Sequence, residues 1–181
     1  MRKIHYYIAT SLDGFIANSD GGHKGFLMQG EHATDFLSDL SNYDTVLMGA
    51  KTYESGYAYG LKPGQVAYPG MRNIVFSSSL QFSELDDGIE LIHSEAIGFT
   101  RDLKSTEGKP IYLSGGAQLA GSLFREGLID EVKIKVNPIL LGDGIPLTVG
   151  LKDHIALVLK SQKVYLNGVT VNSFQVQSAK G

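Results

Sequence analysis

Residues 112–144, YLSGGAQLAGSLFREGLIDEVKIKVNPILLGDG, decide the fold of this chain. A short apolar run ends at the pair Gly115-Gly116, and apolar residues then recur at helical spacing as far as Gly127. A glycine in that place is typical of the residue that follows a helix C-terminus. Residues 131–136 begin a further strand. The stretch therefore predicts a strand, a glycine turn, a helix and a second strand.

A glycine turn between a strand and a helix can bind phosphate. Its bare backbone lets an anion approach, and the free N–H groups and the dipole of the helix N-terminus stabilise negative charge. The turn is therefore a candidate diphosphate site, formed by Ser114, Gly115, Gly116, Ala117 and Gln118. The alternative is a tight turn in which the glycines only relieve crowding.

Length and composition are those of one globular domain, which we place at residues 1–181. The net charge is −3 with scattered basic residues, so we expect neither a nucleic-acid nor a membrane partner. The absence of cysteine excludes disulfides and thiol nucleophiles, and the five histidines lack the spacing of metal ligands, so no metal site is expected. Without a signal peptide or an apolar run of about 20 residues, we expect a cytoplasmic protein.

The whole chain alternates predicted strands and helices and then ends in strands. Strands are predicted near residues 3–10, 45–48, 73–76, 89–92, 111–113, 131–136, 156–165 and 169–176, helices near 34–40, 51–54, 95–103 and 117–126, and a loop over 56–72. Asn167-Gly168 between the last two strands is a strong hairpin pattern. This order predicts an α/β fold with a mixed, mostly parallel sheet, flanking helices and an antiparallel C-terminal hairpin.

Three further clusters of polar and glycine residues follow predicted strands. They are Thr10-Ser11-Leu12-Asp13-Gly14, Gly49-Ala50-Lys51-Thr52 and Ser77-Ser78-Ser79. Ligands of open α/β sheets bind outside the carboxyl ends of the strands, so these clusters and the glycine turn predict one crevice. Lys51 and Thr52 offer an ammonium and a hydroxyl group to a phosphate. Taken singly, each cluster is also explained as a turn, a helix cap or a solvated loop.

Five segments also match a known family in order. They are ATSLDGFIA (9–17), VLMGAKTYE (46–54), IVFSSSL (74–80), the long block 112–147 and the closing hairpin. With them the chain resembles the dihydrofolate reductase-like superfamily, and specifically the C-terminal reductase domain of riboflavin biosynthesis, the RibD C-terminal domain family. The resemblance implies a three-layer fold with an eight-stranded mixed sheet, an NADPH crevice and a homodimer.

The activity implied by the resemblance is hydride transfer from NADPH to a pyrimidine- or pterin-like heterocycle. The implied enzyme is similar to 5-amino-6-(5-phosphoribosylamino)uracil reductase. The implied cofactor contacts are Gly115, Gly116, Ala117 and Gln118 for the diphosphate, Gly49, Lys51 and Thr52 for the adenosine-side phosphates, Ser77 and Ser78 near the adenine ribose, and Thr10 beside the nicotinamide. Asp13, in the same loop as Thr10, is the candidate catalytic residue for substrate contact or proton delivery.

One departure from the family pattern concerns the choice of cofactor. The family's second motif usually has an arginine that pairs with the 2′-phosphate of NADPH, and this chain has Ala50 at that position. An arginine fork binds phosphate in a way that alanine cannot, so NADH is also a possible cofactor. Lys51 and Arg72 are the two candidate replacements for the arginine.

Two alternatives remain for the function. A nucleotide-binding protein without turnover is one, because the family arginine is missing and the carboxylate of true dihydrofolate reductases has no clean match. A folate reductase is the other, and it would need Glu31 or Asp35 as the carboxylate that contacts a pterin. A cluster of tyrosines is predicted either to line a pocket for a flat ring or to pack a loop or a dimer interface. Its members are Tyr53, Tyr57, Tyr59 and Tyr68.

Overall fold

The structure is a computed structural model that describes residues 1–177. Strands are β1 (Ile4–Thr10), β2 (Phe15–Ala17), β3 (Thr45–Gly49), β4 (Arg72–Phe76), β5 (Ile89–Ile92), β6 (Ile111–Gly115), β7 (Glu131–Val136), β8 (Ile145–Pro146), β9 (Leu157–Val164) and β10 (Thr170–Val176). Helices are α1 (Glu31–Asp39), α2 (Ala50–Ser55), α3 (Ala96–Ser105) and α4 (Ala117–Arg125), with short 3-10 helices at Leu40–Asn42 and Gly56–Tyr59. The expected domain, 1–181, also includes residues 178–181, which lie outside the described part.

Eight of the strands form one sheet in the order β5-β4-β3-β6-β1-β7-β10-β9. The pairs from β5 to β7 are parallel, and β10 is antiparallel to both β7 and β9. The predicted fold class is therefore confirmed, including the antiparallel hairpin at Asn167-Gly168, where Gly168 has a positive φ of 85°. A separate pair of short strands, β2 and β8, was not predicted, because three and two residues are too few to leave a periodic pattern.

The central strands are buried on both faces, which makes three layers. Neighbouring residues of a strand point to opposite faces, so Tyr6 packs with the helices α3 and α4, while Tyr7 packs toward α1 and α2. The same division separates Leu113 from Tyr112 on β6. Burial on both faces explains why these strands have continuous apolar runs and not an alternating pattern.

Two predicted segments have different limits in the structure. Helix α1 begins at Glu31, three residues before the predicted start, because Gly30 at φ 122° begins the first turn and its carbonyl accepts the N–H of Thr34 at 3.2 Å. The segment 56–72, predicted to be a loop, contains a 3-10 helix that Gly60 ends at φ 94°. Within residues 1–177, every helix is too short or too polar to cross a lipid bilayer.

Helix α4 is held in place by a loop that crosses it closely. The N–H of Val149 donates to the carbonyl of Ala117 at 3.1 Å. A Cβ atom on Gly121 would lie only 1.9 Å from the carbonyl oxygen of Val149. A glycine is therefore required where the loop docks, and the docking fixes the position of the helix.

We expect Gly121→Ala to lower the free energy of unfolding by about 1–3 kcal/mol, because the added methyl group overpacks the contact with Val149. Gly98 in α3 is the matched control, since its Cβ would meet only the Glu95 carboxylate at 4.0 Å. Gly98→Ala should instead raise stability by up to about 1 kcal/mol through helix propensity. Urea unfolding of both variants measures the difference. Equal effects would contradict the close docking of the loop.

Candidate functional site

The predicted clusters meet at one edge of the sheet. Strands β1, β6, β3 and β4 run parallel, so their carboxyl ends share that edge. The pairing register sets Gly49 beside Phe76 and Met48 beside Gly115. The residues that follow β3, β4 and β6 are therefore neighbours in space, as the sequence predicted for a ligand crevice.

The glycine turn after β6 is in contact with the cluster after β3. A Cβ atom on Gly116 would lie 3.0 Å from the Thr52 hydroxyl oxygen, and one on Gly115 would lie 3.4 Å from it. A Cβ atom on Gly49 would lie 3.6 Å from the backbone nitrogen of Gly116. Gly115 also has φ 137°, which side chains rarely adopt. We call this group of Gly49, Thr52, Gly115 and Gly116 the glycine cradle.

The N-terminus of α4 opens onto the glycine cradle. Gly116 is the N-cap residue, so no side chain caps the helix, and the first turn contains no acidic residue. Ala117 is buried, while Gln118 is exposed at the start of the helix. A helix start with bare backbone and no competing carboxylate fits a phosphate group well. The residues present therefore fit the diphosphate of a dinucleotide.

The residues predicted to contact the phosphates or the ribose differ in whether their side chains are free to bind a ligand. The hydroxyl of Ser77 is buried and accepts the backbone N–H groups of Ser79 and Leu80 at 3.2 and 2.9 Å, so it shapes the loop after β4. Ser78 is exposed beside it, and Lys51 is exposed in the first turn of α2. Ser78 and Lys51 are thus the side chains free to meet a ligand here.

Arg72 cannot replace the missing family arginine. It begins β4 at the amino edge of the sheet, about 13 Å along the strand from the carboxyl edge at about 3.3 Å per residue. Its guanidinium group also binds the Glu90 carboxylate through two hydrogen bonds of 2.6 and 2.9 Å. Of the two candidates from the sequence, only Lys51 lies at the predicted site.

A cleft of about 560 Å³ begins next to the glycine cradle. Thr52 and Ser114 line it on the cradle side. Its walls are rich in aromatic side chains, among them Tyr7, Phe26, Phe36, Tyr59, Tyr68 and Tyr112. The sequence had left open whether the tyrosine cluster lines a pocket or packs a loop, and the structure shows both. Tyr53, Tyr59 and Tyr68 line the cleft, whereas Tyr57 packs edge-on against Tyr53 with ring centroids 5.8 Å apart.

Lys135 and His23 also line this cleft, and the sequence analysis missed both. Lys135 lies on β7, where alternation with apolar residues is typical of a strand with one solvated face. Such an alternating strand is fully explained by lysines in contact with solvent, so it gave no reason to expect a cleft. The available indication was its distance of two residues from Asn137-Pro138, at the end of the strand.

Neither carboxylate required for a folate reductase lines the cleft. The Asp35 carboxylate accepts hydrogen bonds from the Tyr165 hydroxyl at 2.7 Å and from the Lys163 ammonium at 2.5 Å. Glu31 also binds Lys163, at 2.9 Å. Asp35 lines a separate groove of about 290 Å³, which shares Tyr7 with the cleft. No aspartate or glutamate lines the cleft in the described part of the chain.

The loop after β1 lies at the same edge, with Thr10 buried at the end of the strand. Its carbonyl accepts the N–H of Asn137 at 2.7 Å. The exposed carboxylate of Asp13 accepts the backbone N–H groups of Leu141 and Gly142 at 3.1 and 2.8 Å. Hydrogen bonds from the Ser11 hydroxyl and from the Gly142 N–H lower the pKa of Asp13 to about 2.

Asp13 therefore joins two loops as an ionised carboxylate. An acid with a pKa of about 2 carries no proton to give at neutral pH, so the geometry favours bracing or charge placement over proton delivery. Its catalytic role stays a prediction.

We expect ¹³C NMR titration of the side-chain carboxyl to give Asp13 a pKa of about 2. Because this folded value lies below the ordinary 3.8, its contribution to stability is complete above about pH 5 and is lost as the pH falls through 2. Asp13→Asn should lack that part of the acid-induced loss of stability. A measured pKa of 4 or higher would contradict the bracing role.

Comparison with known proteins identifies the family. The model of the RibD C-terminal domain matches residues 2–171. The uncharacterised protein YwjB of Bacillus subtilis is 36% identical over 172 residues, covering 94% of this chain and 97% of YwjB. The riboflavin biosynthesis protein RibD of Corynebacterium ammoniagenes is 30% identical over 178 residues, covering 87% of this chain and 51% of RibD.

A solved structure supports the same assignment. The crystal structure of a candidate riboflavin biosynthesis protein from Shewanella sp. PV-4 superposes with a TM-score of 0.81 at 25% identity, covering 98% of this chain and all of the other. The match of the family model over nearly the whole chain agrees with the glycine cradle and the strand order described above. The chain has a RibD-like reductase fold and belongs to the RibD C-terminal domain family.

Proposed function

We propose that this chain is an NAD(P)H-dependent reductase that transfers a hydride to a flat heterocycle of the pyrimidine or pterin class. The observation that carries the proposal is the position of Thr52. Its hydroxyl oxygen would lie only 3.0 Å from a Cβ atom placed on Gly116, so it lies beside the Gly115-Gly116 turn, and the same residue lines the aromatic cleft. A dinucleotide whose diphosphate lies on the glycine cradle would thus extend its nicotinamide end into the cleft.

The residues around the cradle have distinct parts in this proposal. Gly49, Gly115 and Gly116 bring bare backbone to the diphosphate, and the start of α4 supplies its N–H groups. Lys51 and Ser78 lie toward the adenosine phosphate, while Thr10 lies toward the nicotinamide. The cofactor, once bound, supplies the hydride. The protein contributes orientation of the two reactants and exclusion of water from between them.

The aromatic walls favour a flat ring as the substrate. Of the aromatic residues that line the cleft, Phe36, Tyr59 and Tyr68 keep part of their surface exposed and can make stacking or edge contacts with a heterocycle. RibD of Corynebacterium ammoniagenes is named for riboflavin biosynthesis, and this chain covers 51% of its length. That likeness supports a substrate similar to 5-amino-6-(5-phosphoribosylamino)uracil. The absence of a carboxylate lining the cleft, within residues 1–177, argues against a folate reductase.

The cofactor preference follows from Ala50, which begins α2 where the family has an arginine. We infer that NADPH and NADH both bind, with Lys51 as the cation that can favour NADPH. Lys51 is a point charge on a flexible stem, so it discriminates less sharply than an arginine fork would.

We expect calorimetric titration to show binding of both cofactors, and Ala50→Arg to strengthen the binding of NADPH relative to NADH by about tenfold or more, because a charged hydrogen-bonded pair is added. Gly116→Val should abolish binding, since a side chain there fills the cradle against Thr52. Arg72→Ala is the control, because this residue lies at the far edge of the sheet. No binding of either cofactor by the parent protein would contradict the proposal.

A nucleotide-binding protein without turnover is the second candidate. Ala50 in place of the family arginine favours it. Loss of NADPH absorbance with pyrimidine substrates separates the two functions. A reductase consumes the cofactor, whereas a binding protein shows saturation and no consumption.

We also propose that two copies associate through β9. This strand is the last in the sheet and is exposed along its whole length. Its apolar side chains stay accessible, with Leu159 at 54% and Val164 at 67% exposure. An exposed apolar strand at a sheet edge invites pairing with another chain, and a second copy would cover it.

Sedimentation at micromolar concentration should therefore give a species of two 19.6 kDa chains. Leu159→Glu should convert it to a single chain, because a charge is placed in the apolar contact. Leu85→Glu, at an exposed leucine near the opposite edge of the sheet, should leave the dimer intact. A parent protein that sediments as one chain would remove the proposal.

A further inference from the structure

We propose that the cleft selects a substrate that carries an anionic group, a phosphate or a carboxylate, and that Lys135 binds this group. The inference rests on the proposed function in one respect, namely that the cleft is the substrate site. A substrate of the proposed class already carries a phosphate, and what is added is the residue that recognises its anionic group.

Lys135 lies on the wall of the cleft formed by the sheet. It is paired in register with Ala9 on β1 and with Val171 on β10, so its side chain rises between apolar neighbours. Its ammonium nitrogen lies 5.9 Å from the ring centre of Phe36, which also lines the cleft. Lys135 is half-buried, and no carboxylate in residues 1–177 forms an ion pair with it.

Lys133, two residues earlier on the same face of the same strand, has a different environment. Its ammonium group is paired with the Asp39 carboxylate and lies over the ring of Tyr7 at 4.5 Å. Lys133 lines the smaller groove, in which Asp35 and Asp39 supply negative charge. The chain thus provides a carboxylate for the lysine outside the cleft and leaves the lysine inside it without one.

The half-buried ammonium group of Lys135 has lost hydration, and the Phe36 ring 5.9 Å away offsets only part of that loss in place of a counter-charge. Burial accordingly lowers the pKa of Lys135. An anionic ligand in the cleft would restore the missing interaction, and its attraction is strengthened by the apolar walls. No lining aspartate or glutamate in the described chain would repel that anion.

A second donor lies near Lys135 in the same cleft. His23 makes a hydrogen bond of 3.1 Å to the hydroxyl of Tyr59 through its Nδ1 atom, and both residues line the cleft. Burial, followed by the charge of Lys135, lowers the pKa of His23, which agrees with their closeness. With His23 neutral, its mutual hydrogen bond with Tyr59 uses one of the pair's two protons, so either the His23 Nε2–H or the Tyr59 hydroxyl can donate one hydrogen bond to the anion without a further buried charge.

The test compares three ligands that share one pyrimidine nucleoside. Calorimetry would measure the affinity of the protein for uridine, for uridine 5′-monophosphate and for orotidine, which adds a carboxylate to the ring. We expect at least one anionic ligand to bind about tenfold or more tightly than uridine, because a charge-assisted hydrogen bond is gained. The monophosphate identifies a phosphate as the recognised group, and orotidine identifies a carboxylate.

Lys135→Met should remove the preference while keeping the length of the side chain, and Lys135→Arg should restore most of it. Lys133→Met is the matched control, since it removes the same charge from a lysine outside the cleft, and it should keep the preference. Equal affinities for all three ligands, no measurable binding of either anion, or a preference that survives Lys135→Met would each overturn the inference.

The proposed function is tested separately by NADPH titration of the same proteins. Lys135→Met should still bind NADPH, because the glycine cradle that would hold the diphosphate does not include Lys135, and any change of affinity is confined to the nicotinamide end in the cleft. Failure of NADPH binding with an intact anion preference would remove the reductase and leave the anion site. Normal NADPH binding without an anion preference would remove the anion site and leave the proposed reductase.

Discussion

The contact between Thr52 and the Gly115-Gly116 turn is the constraint on which the site depends. It exists because β3 and β6 are parallel neighbours whose carboxyl ends stop at the same level, although 65 residues lie between Gly49 and Gly115 in the sequence. If side chains replaced these glycines, the turn would be pushed from Thr52 and the start of α4 would be blocked. The glycine cradle would then move away from the entrance of the cleft. The position of Thr52 beside the turn therefore holds these two parts of the site together.

Acidic side chains near the site are held in ion pairs or hydrogen bonds outside the cleft, whereas basic side chains lie inside it. Carboxylates near α1 are occupied by lysines of β7 and β9, as Asp39 is by Lys133 and Asp35 by Lys163. Asp13 is occupied by backbone N–H groups of the facing loop. What remains beside the cradle and inside the cleft is positive or neutral, namely Lys51, Lys135 and His23. A site of that kind suits ligands with phosphate or carboxylate groups at both ends.

Local pattern predicted the sheet well and the cleft poorly. The strand β7 was predicted at residues 131–136 and is found there, because Gly127 ends the preceding helix and charged and apolar residues then alternate. The start of α1 was missed, since Gly30 and the buried His32 carry no apolar periodicity. The glycine turn was predicted because its residues are consecutive. The cleft joins segments far apart in the chain, and only the fold shows that Lys135 faces Phe36 and that Arg72 faces away from the cradle.

The measurement that tests the central claim most directly is amide NMR of the ¹⁵N-labelled protein during titration with NADP⁺. The account predicts that the largest shifts fall on the backbone N–H groups of Gly116, Ala117 and Gln118, together with Lys51 and Thr52. These shifts should saturate with one ligand per chain. Binding that leaves these five signals unmoved, or that moves those of another surface, would contradict the glycine cradle as the diphosphate site.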